Sequence, residues 1–430
     1  MIKRALLTVV AAAGLALAAS APALAAQPYP INFKNFPLGS YASVSGTTVS
    51  GGTVTLAPTG LGSFTYSDPF ADYSDDGADG SGAYQSGSWT GPETSLSFGF
   101  NELVASWNAT TPDGTWIQVE MQPKMLDGHL AKWYILGRWS SSDSDFHRTS
   151  VGGQGDIDGY VAIDTFFAKD HLAVAYRLKV TLFRRAGSSA TPTVTRLSAV
   201  AMNVRNQKNT FPSATTGGSA DLHLPQYSQE IHHGDFPQYD NGGEAWCSPT
   251  STSMVVRYWG PAYQPTPAEY QWVTDALGAS HNDPWVDFTA RAVYDYRYNG
   301  AGNWPFNTAY AASRGLVGDV AALHNLREAE AYIQAGVPLV ASVAWSSNKL
   351  EGAIKSTNGH LMVIGGFEAD GDVIAYDPAS DTDALVRHVY DREQFERAWI
   401  PASGGIVYVI RPAGWATTPA VETLLTANNS

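Results

Sequence analysis

The only cysteine of the 430-residue chain, Cys247, stands where a helix is about to begin. It lies in the stretch GGEAWCSPTSTSMVVRYWG, in which Gly242 and Gly243 permit an irregular turn and Pro249 suits a first helical turn. The partial positive charge at a helix N-terminus favours the thiolate, which is the nucleophilic form of cysteine. The sequence therefore predicts a thiol nucleophile at the mouth of a helix.

Other uses of a lone cysteine remain open. It can be a small buried hydrophobe, or it can form a bridge to another molecule. One cysteine cannot form an internal disulfide, and a chain of this length can fold on apolar burial without one. Stability therefore does not explain Cys247.

A thiol nucleophile needs a base, and the base needs a group that orients it. Among ten histidines, His360 follows an Asn-Gly turn and opens the apolar run HLMVIGGF. Asp377 closes the next run, DVIAYDP, and a hairpin at Glu368 to Gly371 would place the two side chains together. The alternatives are a core histidine for His360 and a turn cap for Asp377.

The oxyanion formed during attack needs hydrogen-bond donors. We expect them to be the backbone N–H of Cys247 and the side-chain amide of Gln229, in preference to Gln238, which lies in a loop-like segment.

Four residues are predicted to contact substrate: Trp246, Ser248, Asn303 and Trp304. The first two flank the cysteine. The other two lie in NWPFNTAYA, where the aromatic side chains suit a core position equally well.

The segment EIHHGD is the one place in the sequence that suggests a metal site. It contains Glu230, His232, His233 and Asp235. Adjacent histidines of a strand point to opposite faces, so both cannot easily bind one ion. We predict no metal and no cofactor.

The elements that would position these residues differ between the two halves of the chain. From about Gln27 to Thr215, short alternating runs such as TWIQVEMQ, KWYILGRW and AVAYRLKVTLFRR predict strands. Later, helical patterns such as TSTSMVVRYW and LREAEAYIQAG precede strand-like runs such as VPLVASVAW and GIVYVIRP. The predicted fold is an N-terminal all-β sandwich followed by an α+β domain whose early helix packs on a later antiparallel sheet.

The N-terminus and the charge balance bear on localisation. Residues 1–26, MIKRALLTVVAAAGLALAASAPALAA, have the pattern of a cleavable signal peptide, so we expect a secreted protein. No later segment is apolar for long enough to span a membrane. The net charge of −14 disfavours nucleic acid and anionic lipid as partners.

Six segments occur in the order found in the secreted bacteriocin-leader-peptidase-like (double-glycine peptidase-like) family, and the chain resembles that family over residues 222–412. They are YSQ, WCSPTSTSMV, NWPFNTAYA, AGVPLVASV, NGHLMVIGGF and YDPAS. The resemblance implies a papain-like cysteine peptidase fold. It also implies that Cys247 is the nucleophile, His360 the general base and acid, Asp377 the orienting residue and Gln229 the oxyanion-hole amide.

The predicted organisation has five parts. They are a signal peptide at 1–26, a β-sandwich accessory domain at 27–211, a linker at 212–221, a papain-like peptidase domain at 222–415 and a tail at 416–430.

The leading functional hypothesis is a secreted cysteine peptidase or amidase that acts on a peptide or protein through an acyl-enzyme. Two alternatives stay open. One is an extracellular binding protein with a catalytically silent papain-like domain, motivated by Ser248 in place of the family's usual glycine and by the long spacing from Gln229 to Cys247. In it the sandwich would bind an extracellular polymer, for which four tryptophans could form a platform: Trp107, Trp116, Trp133 and Trp139. The other is an acyl transferase that uses the same thioester chemistry.

Overall fold

The computed structural model describes residues 29–73, 79–205 and 207–415. The predicted signal peptide at 1–26 and the predicted tail at 416–430 lie outside these ranges. Within them, no helix combines the length and the apolar character that crossing a bilayer requires.

The N-terminal half is built from strands. In the described residues up to 205 these are β1 (Ile31–Asn35), β2 (Ser43–Ser45), β3 (Thr47–Ser50), β4 (Thr53–Leu56), β5 (Gly62–Tyr66), β6 (Gly82–Thr90), β7 (Thr94–Phe100), β8 (Glu102–Thr110), β9 (Thr115–Met125), β10 (Tyr134–Trp139), β11 (Gly159–Ala162), β12 (Thr165–Ala168), β13 (Ala173–Arg185) and β14 (Thr193–Met202).

These strands form two seven-stranded antiparallel sheets. One has the order β11-β12-β8-β14-β4-β3, with β1 also paired to β14; the other has the order β10-β9-β13-β6-β2, with β5 on β6 and β7 on β13. The predicted run AVAYRLKVTLFRR coincides with β13, and its partner β9 begins where TWIQVEMQ begins. Apolar side chains from both sheets, including Leu103 and Val180, belong to one core. The prediction of a β-rich N-terminal domain is confirmed.

The tryptophans proposed as a polymer-binding platform are mostly interior residues. Trp107, Trp116 and Trp139 are fully buried, and only Trp133 is partly exposed, beneath the ammonium group of Lys179. The structure therefore does not support polymer binding by this set, because three of its four rings cannot reach a ligand.

The C-terminal half mixes helices and strands. Its elements in the described residues are β15 (Ala220–Asp221), α1 (Cys247–Tyr258), α2 (Gln271–Leu277), α3 (Pro284–Val293), α4 (Trp304–Ser313), β16 (Leu316–Ala322), α5 (Leu326–Gln334), β17 (Leu339–Trp345), β18 (Thr357–Phe367), β19 (Val373–Tyr376), β20 (Arg387–Tyr390), α6 (Arg392–Ser403) and β21 (Ile406–Pro412). Short 3-10 helices add to these, among them one at Glu230–His232 and one at Gly243–Ala245.

The strands of this half form one antiparallel sheet of order β16-β21-β17-β18-β19-β20, with β15 paired to β18. Helix α1 packs on this sheet, and the Ser251 hydroxyl of α1 donates a hydrogen bond to the Leu361 carbonyl of β18 at 3.0 Å. The prediction of an α+β domain with an early helix on a later sheet is confirmed, although α3, α4 and α6 were not predicted.

The two halves of the chain pack against each other through apolar side chains. Phe306 of α4 packs edge-on against Trp107, with ring centroids 6.2 Å apart, and also lies against Trp139 of the other N-terminal sheet. The predicted linker packs on the C-terminal domain, because Ser213 N–H donates to a Glu396 carboxylate oxygen at 2.7 Å. One apolar core therefore continues from the N-terminal sheets into the helices of the C-terminal half.

Candidate active site

Cys247 is the first residue of α1, as the sequence predicted for a thiol at a helix mouth. The backbone before it turns sharply, since Gly242 has a φ of 100°. Gly243 approaches its surroundings so closely that a Cβ there would lie 2.2 Å from the Gln229 carbonyl oxygen. The side chain of Cys247 is partly buried. Its backbone N–H belongs to the first turn, where the helix itself offers no acceptor.

His360 reaches Cys247 from the neighbouring strand β18. Its ring is buried, with Nε2 2.7 Å from Asp377 Oδ1, and Cys247 is near enough to contribute to the raised pKa of the imidazole. The Trp345 ring stands edge-on against the imidazole, with centroids 5.9 Å apart. The imidazole therefore pairs with the carboxylate and interacts electrostatically with the thiol.

Asp377 follows β19, and its backbone fixes its position by donating to the Val386 carbonyl at 2.8 Å. Oδ1 accepts from His360 and from the Ala379 N–H, while Oδ2 accepts from the Tyr390 hydroxyl at 2.8 Å. Both carboxylate oxygens are thus satisfied although the side chain is buried. Tyr390 was not predicted from the sequence, because its strand β20 lies next to β19 only in the folded sheet.

The charges of His360 and Asp377 stabilise each other. Burial alone would lower the pKa of His360, but the charge and hydrogen bond of Asp377, together with the contact to Cys247, raise that pKa to about 10. Burial alone would raise the pKa of Asp377, but His360, Tyr390 and the Ala379 N–H hold it below its usual range. The arrangement therefore favours an imidazolium beside a carboxylate.

Gln229 lies in the same region, but its amide is already engaged. Nε2 donates to the Glu244 carbonyl at 2.8 Å and to Glu230 Oε1 at 3.0 Å, and Oε1 is buried without a partner among the described residues. Its backbone N–H donates to the Pro378 carbonyl, next to Asp377. An oxyanion could recruit this amide only by replacing one of its two acceptors.

Three of the four residues predicted to contact substrate are fully buried. The indole of Trp246 donates to the Tyr239 carbonyl, and the hydroxyl of Ser248 lies 2.9 Å from the Tyr408 hydroxyl. Asn303 caps α4 and is likewise buried. These side chains build the interior beneath the site, so this conformation does not offer them to a substrate. Trp304 alone is partly exposed.

Tyr298 is a residue near the site that no sequence motif indicated. Its side chain is half-exposed. Its pKa is raised mainly by burial, with further contributions from the charges of Asp240 and Cys247. No pattern in the sequence indicated it, because it lies in an irregular loop after α3.

The two histidines of EIHHGD have different surroundings. His233 is exposed and contacts Glu244 at 2.6 Å, whereas His232 is fully buried beside Asp287. Both lie in or directly after a 3-10 helix, not on a strand as the sequence pattern suggested. However, His232 belongs to a different group of possible metal ligands, with Asp235, His281 and Asp287.

Comparison with known protein families gives one match for each half of the chain. Residues 34–202 match the Peptidase C39 N-terminal domain, and residues 222–407 match the Peptidase_C39 like family. No protein of curated function matches the sequence. The second match suggests a cysteine peptidase and covers Cys247, His360 and Asp377, while the first accounts for the β-rich half. The two matches together cover most of the chain and support a C39 (double-glycine-type) cysteine peptidase-like family.

Proposed function

We propose that the protein is an exported cysteine peptidase with a papain-like catalytic domain, in which Cys247, His360 and Asp377 form the catalytic triad. The observation that carries the proposal is the position of His360, whose Nε2 pairs with Asp377 while its imidazole interacts electrostatically with the Cys247 side chain. Export is inferred from the sequence of residues 1–26.

The geometry supports a defined sequence of steps. The Cys247 sulfur attacks the carbonyl carbon of a peptide bond, and the His360 imidazolium gives its proton to the departing amine. A thioester between Cys247 and the acyl part of the substrate results. Water then attacks the thioester, His360 accepts the proton from that water, and the thiolate leaves with release of the carboxylic acid product. Asp377 holds the imidazole in place throughout.

The donor best placed for the oxyanion is the backbone N–H of Cys247, because the helix does not use it. Gln229 is the second donor in this proposal. Its bond to Glu230 is the one we expect to exchange, because it joins two side chains, whereas the bond to the Glu244 carbonyl is held by the backbone.

The buried position of Ser248 favours an active enzyme over a silent one. A serine after the nucleophile would obstruct a substrate if it faced the cleft. Here its hydroxyl points toward Tyr408 in the interior. In this conformation, Ser248 therefore gives no reason to expect a catalytically silent domain.

The test is hydrolysis of a mixed peptide library by the full chain, read by mass spectrometry. We expect the wild type to cleave a subset of peptides, and both Cys247→Ala and Cys247→Ser to cleave none while unfolding at the wild-type temperature. His129→Gln, which changes an exposed histidine of the β-rich half, is the matched control and should retain full activity. Equal cleavage by the wild type and Cys247→Ala would contradict the proposal.

A further inference from the structure

Four side chains converge behind the nucleophile's helix in a group that we name the His232 cluster: His232, Asp235, His281 and Asp287. They come from three separate segments of the chain. His232 ends a 3-10 helix and Asp235 follows it in a turn, His281 lies between α2 and α3, and Asp287 belongs to the first turn of α3. His232 and Asp287 are fully buried, and the other two are partly buried.

The four His–Asp distances within the cluster are close to those between ligands around one ion. His232 Nδ1 lies 3.1 Å from Asp287 Oδ2 and 3.6 Å from Asp235 Oδ2. His281 Nε2 lies 3.0 Å and 3.5 Å from the same two oxygens. Each residue offers one atom, and all four atoms lie within 4.8 Å of one another. Ligands about 2.0–2.1 Å from a tetrahedral zinc ion lie about 3.3 Å apart, close to the mean of these distances.

Hydrogen bonding within the protein does not satisfy the cluster. The contact of His281 with Asp287 is a hydrogen bond, but the two contacts to Asp235 are longer than charge-assisted bonds. Among the described residues, neither ring nitrogen of His232 forms a hydrogen bond of acceptable geometry, although Nδ1 lies at ion-pair distance from Asp287, and Asp235 Oδ2 and Asp287 Oδ1 have no hydrogen-bond partner. Buried polar atoms normally have partners, so a buried imidazole that lacks them and points at two carboxylates indicates a missing ligand.

We propose that the His232 cluster is a structural site for a divalent transition metal, most suitably Zn²⁺. Two imidazoles and two carboxylates are ligands that zinc accepts in tetrahedral sites. Two carboxylates and one Zn²⁺ also sum to zero charge, which removes the cost of burying the acidic groups. Four protein ligands close the coordination sphere, which is the arrangement of structural sites rather than catalytic ones. The site is separate from the catalytic triad and uses none of its members.

A bound metal would link helix α3 to the segment that contains Gln229, because both supply ligands or lie next to one. Gln229 stands three residues before His232, and the His232 ring lies 6.1 Å from the Trp246 ring, directly before the nucleophile. Loss of the ion would therefore loosen the wall of the candidate active site. The closeness of Gly243 to the backbone of His232 places this segment against the turn before Cys247.

Metal content is the direct test, and it does not depend on peptidase activity. The full chain, purified without a histidine tag, is stripped with chelator, titrated with Zn²⁺ and dialysed, and its zinc is measured by mass spectrometry. Cys247→Ala serves as the background, so that zinc on the thiol does not contribute. We expect one zinc per chain and, after Co²⁺ substitution, the intense visible absorption of tetrahedral cobalt without a thiolate band.

Two ligand variants and one control decide whether the metal is held by this cluster. His281→Gln and Asp235→Asn are the least buried ligand changes, and they should weaken zinc binding by about 100-fold or more, since loss of outer partners alone costs about 10- to 100-fold. His233→Gln changes the adjacent, exposed histidine. It should bind zinc as tightly as the parent, which is the Cys247→Ala protein without a further change. No zinc on the parent, or equal binding by His281→Gln and the parent, would overturn the proposal.

Discussion

At the level of single residues, the site depends on the buried ion pair of His360 and Asp377 and on the groups that donate to its carboxylate. The sequence could indicate Cys247, His360 and Asp377, because each follows a local signal at the start or end of an element. It could not indicate Tyr390, since the bond to Asp377 is made by a strand that is adjacent only in the folded sheet.

Asp377→Asn should change the pH dependence of hydrolysis. Burial lowers the pKa of His360, but the charge and hydrogen bond of Asp377, with a contribution from Cys247, raise it to about 10, so the imidazolium persists through neutral pH and is lost as the pH rises through that value. Asparagine keeps a hydrogen bond but removes the charge. The alkaline limb of kcat/KM should therefore move to lower pH by about one to three units. An unchanged limb would show that the carboxylate does not set the charge of the imidazole.

Tyr390→Phe should lower the free energy of unfolding by about 1.5–3 kcal/mol, because a buried carboxylate loses a donor. Tyr176→Phe is the matched control: its hydroxyl is buried with no partner among the described residues, so its removal should cost little. Chemical denaturation measures both. Equal losses for the two variants would contradict the role given to the Tyr390 hydroxyl.

At the scale of elements, the strands and helices with a clear period were predicted well. The hairpin at Glu368 to Gly371 joins β18 and β19 as expected, and it brings His360 and Asp377 together. Helix α4 was missed because it is buried on nearly all sides, with polar Asn307 and Thr308 among its interior residues, and therefore shows no clear helical period. The His232 cluster was missed because its ligands come from separate segments, and His281 lies in a loop with no pattern.

Asn303→Ala should destabilise the protein more than Asn325→Ala does. Both residues cap helices, since their side chains accept from Phe306 N–H and Glu328 N–H, and loss of a cap costs about 0.5–2 kcal/mol. Asn303 also donates to buried Asp295 at 2.9 Å, so its loss should cost about 1–3 kcal/mol more. Unfolding free energies of the two variants provide the comparison, and equal values would show that the bond to Asp295 adds nothing.

At the scale of the whole molecule, the two halves form one structure. The sequence shows a change of pattern near residue 212, which favours two separate domains joined by a linker. It cannot show that Trp107 and Phe306, almost 200 residues apart, pack together. Polar contacts reinforce this interface: Asp319 of β16 accepts from Arg196 and Ser198, and Asp143 accepts two bonds from Arg291.

The shared core predicts that both halves unfold in one transition. Circular dichroism and tryptophan fluorescence should report the same midpoint. Phe306→Ala removes the ring that contacts both N-terminal sheets, and it should lower the free energy of unfolding by about 3–5 kcal/mol. Two separate transitions in the wild type would contradict a continuous core.

The central claim is that Cys247 is a nucleophile activated by His360. The measurement that tests it most directly is the rate of Cys247 alkylation by iodoacetamide across a range of pH, for the wild type and for His360→Ala. Below neutral pH, we expect the wild type to react about tenfold faster or more than the variant, because the imidazolium stabilises the thiolate. Equal rates for the two proteins at every pH, or no reaction in either, would contradict it.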